Sequence, residues 1–210
     1  MMTGKEITMI LACYCVGCFT VGYYWVRWRT GHDIRESGSG NVGARNVGRA
    51  LGAPGFAVTF VLDMLKGALA VGAARYFDLG PEAIIAGAVA VVVGHNWPMQ
   101  LRFHGGKGIA TSFGALLAYD SFIVLILVAL FVPILILLRS FTLSGLLAYT
   151  LAPLAVFLCG LGNLETAAIS FLAILVLISH RKNIREEIAR HFLHRAVKNG
   201  HADKDHHHEP

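Results

Sequence analysis

The chain has 210 residues, of which 55% are hydrophobic and only 15% are charged. Its mean hydropathy of +0.59 is well above that of a water-soluble domain of this size, which excludes an ordinary soluble protein. Lys and Arg number 18 against 13 Asp and Glu, a formal net charge of +5. In a membrane protein such an excess reflects basic cytoplasmic loops, so we expect membrane lipid and no nucleic acid as a partner.

Apolar stretches that approach or reach the roughly 20 residues of a membrane-crossing helix recur along the whole chain. We predict an all-α, polytopic membrane bundle with about seven crossings, at residues 7–26, 55–74, 83–93, 109–119, 121–138, 143–161 and 166–178. The first stretch is too long for a cleaved signal peptide and is predicted to be a permanent helix. The stretch 109–119 is short, and the number of crossings falls if it is re-entrant.

The charges of the connecting segments predict the orientation of the bundle. The turns assigned to the outer side contain Asp78, Glu82, Asp120 and Glu165, with Arg75 as the one basic exception. Basic residues collect on the other side, namely Arg27, Arg29, Arg35, Arg45, Arg49, Arg102, Lys107, Arg139, Arg181, Lys182 and Arg185. Because cytoplasmic loops are enriched in Lys and Arg, the N-terminus is expected outside and the C-terminus in the cytoplasm.

We predict one transmembrane domain over residues 1–198 and a polar, disordered tail over residues 199–210. The three adjacent histidines His206 to His208 are interpreted as incidental to function, the alternative being a weak metal site. Cys13, Cys15 and Cys18 in the first span have no His or carboxylate spaced among them as metal ligands require. We therefore expect no metal site.

The first polar segment, between the first two spans, alternates glycines with short polar and cationic residues. Closely spaced glycines allow positive φ and bring backbone N–H groups near an anion, while Arg side chains add fixed charge. The segment predicts a phosphate site, the alternative being a flexible loop between helices. Its candidate ligands are Ser39, Gly40, Asn41, Asn46 and Arg49, with Arg45 beside them.

Asp63 and Lys66 interrupt the second span at positions i and i+3 of one helix face. They can pair there, which offsets part of the cost of charge at membrane depth. A structural ion pair and a substrate-binding role are equally compatible with this spacing.

The second polar segment contains His95 and His104 and ends in Gly105-Gly106-Lys107-Gly108 before an apolar helix. This order offers backbone donors, a helix N-terminus and a lysine to one anionic group. The Walker spacing is absent, so ATP chemistry is not indicated. The histidines are candidates for acid or base roles, the alternative being hydrogen bonding within the loop.

The third polar segment starts where the last span ends. His180 and Asn183 are three residues apart and can share a helix face directed at one site. Arg181 and Lys182 have an ordinary explanation as anchors to lipid headgroups.

These segments together resemble the PlsY family of bacterial acyl-phosphate:glycerol-3-phosphate acyltransferases over nearly the whole chain. The resemblance rests on Gly-Ser-Gly-Asn-x-Gly-Ala-x-Asn at 38–46 with Arg49, and on Asp63 to Gly67 in the second span. It rests further on Gly-His-x-x-Pro through Gly-Gly-Lys-Gly-x-Ala-Thr at 94–111, and on His-x-x-Asn-Ile at 180–184.

The resemblance implies transfer of a fatty acyl group from acyl phosphate to the 1-hydroxyl of sn-glycerol 3-phosphate, without cofactor or metal. The products are lysophosphatidic acid and phosphate, in the first step of phospholipid synthesis at the bacterial inner membrane. It also implies a functional link to an enzyme that produces acyl phosphate. Ser39, Lys107, His180 and Asn183 are the expected catalytic residues. The expected substrate-binding residues are Gly40, Asn41, Asn46, Arg49, Asp63, Lys66, His95, Gly105, Gly106 and Gly108.

Three positions depart from the family pattern. The family usually has Thr in place of Arg45, and Arg in place of Ser179 and of Glu186. Arg45 adds a cation to the first polar segment, and Glu186 reverses a charge, so altered affinity or a shifted substrate follows as an alternative.

Two other classes of protein share some of these features. A small transporter for an anionic solute also has interrupted helices and intramembrane charges such as Asp63 and Lys66. Against it, no inverted repeat is evident, and all three polar segments are predicted on one side. A lipid-binding scaffold without chemistry is suggested only by the three departures.

Overall fold

The fold is a bundle of eight α-helices in the residues that the structure describes. In this computed structural model these are residues 2–202 for the backbone, with side chains described to Arg181 and at Ile184. The helices are α1 Gly4–Cys18, α2 Val21–Thr30, α3 Ala44–Tyr76, α4 Pro81–Asn96, α5 Ile109–Tyr119, α6 Ser121–Leu138, α7 Phe141–Leu158 and α8 Asn163–Ala202. Short 3-10 helices form at Ile34–Glu36 and Met99–Leu101. Residues 203–210, with His206 to His208 of the predicted tail, lie outside the described part.

The prediction of an all-helical membrane bundle is confirmed for this part of the chain. Six segments are long and apolar enough to cross a membrane, and α5 is the shorter seventh apolar helix. The six are Gly4–Thr30, Ala44–Tyr76, Pro81–Leu101, Ser121–Leu138, Phe141–Leu158 and Asn163–Arg181. A first compact unit ends at Ser179, and the second begins at His180, both within α8.

The first span is two helices, where one continuous helix was predicted. α1 ends at Cys18 and α2 begins at Val21, with Phe19 and Thr20 extended between them. A helix end leaves backbone carbonyls without partners inside the helix. Here side chains supply donors, because Lys66 reaches the Gly17 and Phe19 carbonyls and Gln100 reaches that of Cys18. Hydropathy is continuous across this break, so the hydropathy pattern did not predict the break.

The second span also differs from its prediction, because its helix starts eleven residues earlier than residue 55. α3 begins at Ala44, so the second half of the predicted glycine-rich loop is helical. The helix is interrupted at Gly52, where φ is 73° and ψ is −169°, two residues before Pro54. Proline cannot donate the backbone bond that a helix interior needs, and glycine accepts the positive φ of the kink.

Two pairs of glycines bring helix backbones into direct contact. A Cβ on Gly17 would overlap the Val91 carbonyl, and one on Gly94 would overlap the Tyr14 carbonyl, so α1 and α4 require glycine at both positions. The same reciprocal arrangement joins α3 to α5. Small residues are the usual means by which membrane helices approach closely, since lipid provides no hydrophobic drive for their association.

The α3–α5 pair tests this packing directly, with Gly67 facing the Thr111 carbonyl and Gly114 facing the Met64 carbonyl. We predict that Gly67→Ala lowers the stability of the detergent-solubilised protein by about 1–3 kcal/mol, because the new methyl group pushes two backbones apart. Gly72→Ala is the matched control on the same helix, since no atom lies within 4 Å of its added Cβ. Thermal unfolding measures both, and equal midpoints for the two variants would contradict the packing interpretation.

Candidate functional site

The first polar loop is held in shape by the buried amide of Asn46. Its oxygen accepts a hydrogen bond from the Ser39 backbone N–H at 3.0 Å. Its nitrogen donates to the Ile34 carbonyl at 3.2 Å and to the Ser37 carbonyl at 2.9 Å. Asn46 thus uses both donors and an acceptor on the loop itself, and its position in the first turns of α3 ties the loop to that helix.

Two glycines give this loop its turn. Gly38 and Gly40 have φ values of 59° and 67°, which other residues rarely adopt. Ser39 lies between them and is exposed, so its hydroxyl is presented at the surface. Asn41 accepts a hydrogen bond from the Gly43 N–H at 3.2 Å, directly before α3 begins.

A hydrogen bond from Arg35, just before the first polar segment, connects this part of the chain to the second polar segment. Arg35 contacts Asp33 at 2.6 Å and also donates to the Leu101 carbonyl at 2.9 Å. The Arg35 guanidinium is the main reason why the pKa of the Asp33 carboxyl is below its usual value. The carboxylate therefore stays ionised to a lower pH than a free aspartate and continues to hold the guanidinium that donates to the Leu101 carbonyl.

The glycine-rich loop 105–108 folds back onto the end of α4. The Gly105 N–H donates to the Asn96 carbonyl at 3.1 Å, and the Gly106 N–H donates to the His95 carbonyl at 2.9 Å. A Cβ on Gly106 would overlap the His95 ring, so this position has no room for a side chain. Since these two N–H groups are already bonded, an anion here must find its backbone donors further along the chain.

Those donors lie at the start of α5. Gly108 has a φ of 80° and is the N-cap residue of α5, where it has no side chain with which to cap the helix. The first N–H groups of a helix have no acceptor in the helix itself, and the aligned peptide dipoles favour an anion beside them. Lys107, half-buried, comes immediately before this helix end. Backbone donors and an ammonium group thus occur within three consecutive residues.

A buried charged cluster lies behind the glycine-rich loop. The Lys66 ammonium is 2.9 Å from the Asp63 carboxylate and 2.8 Å from His95 Nδ1. The side chains of all three residues are at most 8% exposed. A lysine ammonium can only donate, so His95 accepts at Nδ1 and carries its proton at Nε2. This Nε2 edge of the ring packs against Gly106. The cluster connects α3, the end of α4 and the break between α1 and α2.

A hydrogen bond also reaches the last span. Asn96 Nδ2 donates to Ser179 Oγ at 2.7 Å, and Ser179 donates to the Leu175 carbonyl at 2.7 Å. Asn96 therefore touches both the glycine-rich loop and α8, a connection that the sequence did not predict because its partner Ser179 lies 83 residues further along the chain. His180 is the next residue of α8 and opens the second compact unit. The side chain of Asn183 lies outside the described part of the chain.

The remaining predicted residue of the first segment, Arg49, is exposed on α3 before the kink at Gly52, one turn after Arg45. The structure thus connects the first two loops through Arg35, and the second loop to α8 through Asn96. His104 is exposed and its Nδ1 contacts the Arg102 carbonyl, which matches the interpretation of this histidine as a loop residue.

Comparison with known proteins gives a consistent family assignment. The family model described as glycerol-3-phosphate acyltransferase matches residues 7–190. Glycerol-3-phosphate acyltransferase 1 of Desulfitobacterium hafniense is 42% identical over 182 residues, covering 86% of this chain and 90% of that protein. Glycerol-3-phosphate acyltransferase 1 of Bacillus anthracis is 36% identical over 177 residues, covering 84% of this chain and 94% of the relative.

Solved structures agree with this assignment. The crystal structure of PlsY, an integral membrane glycerol 3-phosphate acyltransferase, in its glycerol 3-phosphate form superposes with a TM-score of 0.81 at 30% identity. It covers 89% of this chain and 93% of the crystallised one. The lysophosphatidic acid form gives a TM-score of 0.78 at 29% identity over the same shares. With its loops, its helical bundle and its relatives in agreement, the chain belongs to the glycerol-3-phosphate acyltransferase family of integral membrane proteins.

Proposed function

We propose that this protein transfers a fatty acyl group from acyl phosphate to the 1-hydroxyl of sn-glycerol 3-phosphate, giving lysophosphatidic acid and inorganic phosphate. The observation that carries the proposal is the uncapped start of α5 after Gly108, with Lys107 beside it. Such an arrangement favours a phosphate group without any metal. Both proposed substrates carry a phosphate group.

The proposed reaction needs no nucleophile from the protein. The 1-hydroxyl oxygen attacks the carbonyl carbon of the acyl phosphate, the carbon–oxygen bond to phosphate breaks, and the hydroxyl proton moves to a phosphate oxygen. An acyl phosphate is already activated, so the protein has to supply proximity and stabilise the charge that develops. Fixed donors in rigid loops meet that requirement.

We assign the roles of the polar residues on this basis. Lys107 and the first N–H groups of α5 hold the phosphate of the acyl donor, and exposed Ser39 and Gly40, with half-buried Asn41, form the part of the first loop that faces substrate. Arg49 and the predicted His180 and Asn183 position the glycerol phosphate. Gly105, Gly106 and Asn46 are assigned to loop geometry, because their polar groups are bonded within the protein.

Asp63, Lys66 and His95 are assigned a positioning role. Lys66 donates to two carbonyls at the break after α1 and to His95. These three hydrogen bonds use all three protons of the Lys66 ammonium within the bundle. The His95 ring in turn packs against Gly106. The cluster therefore supports the glycine-rich loop from behind.

The location follows from the same reasoning. The basic residues of the connecting segments favour an active site that faces the cytoplasm from the bacterial inner membrane, where a soluble enzyme can supply acyl phosphate. Among the described residues, no specific contact favours the alternative of an anionic-solute transporter.

The donor is tested with purified wild-type protein in lipid, supplied with labelled glycerol 3-phosphate and palmitoyl phosphate. We expect lysophosphatidic acid and inorganic phosphate in equal amounts, because the acyl–phosphate bond is the one that breaks. Palmitoyl-CoA serves as the parallel donor. Product from palmitoyl-CoA alone would refute the proposed donor, and uptake of label into vesicles without product would favour a transporter.

Lys107→Ala tests the phosphate site. We expect phosphate release to fall by about 100-fold or more, since a charged donor at the reacting phosphate stabilises the transition state directly. Lys5→Ala is the matched control, because Lys5 is exposed and donates to the Phe77 carbonyl, away from the polar loops. Near-normal turnover of Lys107→Ala would remove this lysine from the mechanism.

Asp63 and Lys66 are tested by single and double replacement. Lys66→Met leaves a buried carboxylate without its cation, so we expect a loss of about 3–5 kcal/mol in stability. The double variant Asp63→Leu with Lys66→Met removes both charges and should unfold at a higher temperature than Lys66→Met. If it folds, we expect it to keep measurable turnover. A folded double variant that keeps its turnover but has a raised KM for glycerol 3-phosphate would instead place the pair in direct contact with substrate.

A further inference from the structure

A groove opens on the outer surface of α3 at its kink. Its volume is about 370 Å³, and its lining residues are Arg45, Gly48, Arg49, Gly52, Ala53 and Phe56. One wall of this α3 groove is cationic and the other is apolar. The two walls meet because the helix is interrupted at Gly52, between the arginines and the phenylalanine.

The cationic wall consists of two arginines one helical turn apart. Arg45 and Arg49 are spaced i and i+4, so their side chains leave α3 on the same face. The Arg45 guanidinium also donates to the Thr142 hydroxyl at the start of α7. This bond holds the guanidinium at the groove, which lowers the conformational entropy that a ligand contact would otherwise have to offset.

The apolar wall continues along the helix beyond the groove. A Cβ on Gly48 would lie 2.9 Å from the Phe56 Cβ, so glycine is needed there for the phenylalanine to pack beside the arginines. Phe56 stacks on Phe60, with ring centroids 5.9 Å apart and planes inclined by 11°. Met64 follows one turn further along the same face of α3 and is half-buried. An apolar track thus leads from the two cations along a membrane-crossing helix.

We propose that Arg45 is a specificity-determining residue that adds a second charged contact to the acyl-donor phosphate held by Lys107 and the start of α5, with the acyl chain lying in the α3 groove along Phe56 and Phe60. This deepens the proposed function and rests on it for the identity of the donor. Glycerol 3-phosphate has no apolar part that an aromatic wall would recognise, whereas an acyl phosphate has a phosphate and a chain on one molecule. A threonine here, as the family pattern has, supplies no charge.

The test uses the variants Arg45→Gln and Arg45→Thr, with Arg29→Gln as a control that removes one exposed arginine from the last turn of α2. Two quantities are measured for each variant in the same lipid. One is the KM for palmitoyl phosphate and for glycerol 3-phosphate. The other is direct binding of hexadecyl phosphate, which has the phosphate and the chain but no acyl bond to react.

We expect the Arg45 variants to raise the KM for palmitoyl phosphate and weaken hexadecyl phosphate binding by about 3- to 10-fold, the range for one charged hydrogen bond at a partly exposed site. The KM for glycerol 3-phosphate should not change. Thr142→Val, which removes only the acceptor that holds Arg45, should produce a smaller shift of the same kind. Arg29→Gln should change none of these values.

The outcomes separate this inference from the proposed function. If wild-type protein makes no product from palmitoyl phosphate but binds hexadecyl phosphate through Arg45, the proposed donor is wrong and the groove site stands. If the Arg45 variants match Arg29→Gln in both measurements, the groove site is wrong. A rise in the KM for glycerol 3-phosphate alone would also overturn it, because Arg45 would then bind the other substrate.

Discussion

The buried ammonium of Lys66 is the interaction on which the arrangement of this site depends. It satisfies two carbonyls where the first span breaks, neutralises Asp63 on its own helix and fixes the orientation of His95. A charge at membrane depth is unfavourable unless it is fully paired, and this one is surrounded by four acceptor groups. Because the His95 ring supports Gly106, the position of the glycine-rich loop follows from the pairing of this one lysine.

Close glycine contacts provide the second constraint. Gly67 and Gly114 bring α3 and α5 together at backbone distance, so the short helix α5 is fixed by its packing and does not need to cross the bilayer fully. A helix of 11 residues spans about 16 Å, roughly half of the hydrocarbon thickness. Its first turn is packed inside the bundle, since Gly108, Thr111 and Ser112 are buried, so the helix dipole acts on an anion there with less screening than in bulk water.

Hydropathy and charge predicted the helical bundle, the number of apolar helices and the three polar segments, because these depend on local composition. They did not predict the break at Phe19 and Thr20, which depends on Lys66, a residue 47 positions beyond Phe19 in the chain. They also placed Asn46 in a substrate-binding loop, whereas its amide is occupied by backbone groups of that loop. Asn96 was missed for the same reason: long-range hydrogen bonds leave no periodic pattern in the sequence.

The polar groups have two different roles, and the hydrogen bonds that each group already makes indicate which role it has. Where an amide or imidazole is buried and paired, as in Asn46 and His95, it holds a loop and has little capacity left for substrate. Groups at loop tips and helix starts, such as the Ser39 hydroxyl and the N–H groups after Gly108, keep their capacity to bond to substrate. The acyl phosphate that we propose as substrate is already activated, so the protein needs to supply hydrogen bonds and charge from groups held in position, which rigid loops on a membrane bundle can do without a protein nucleophile.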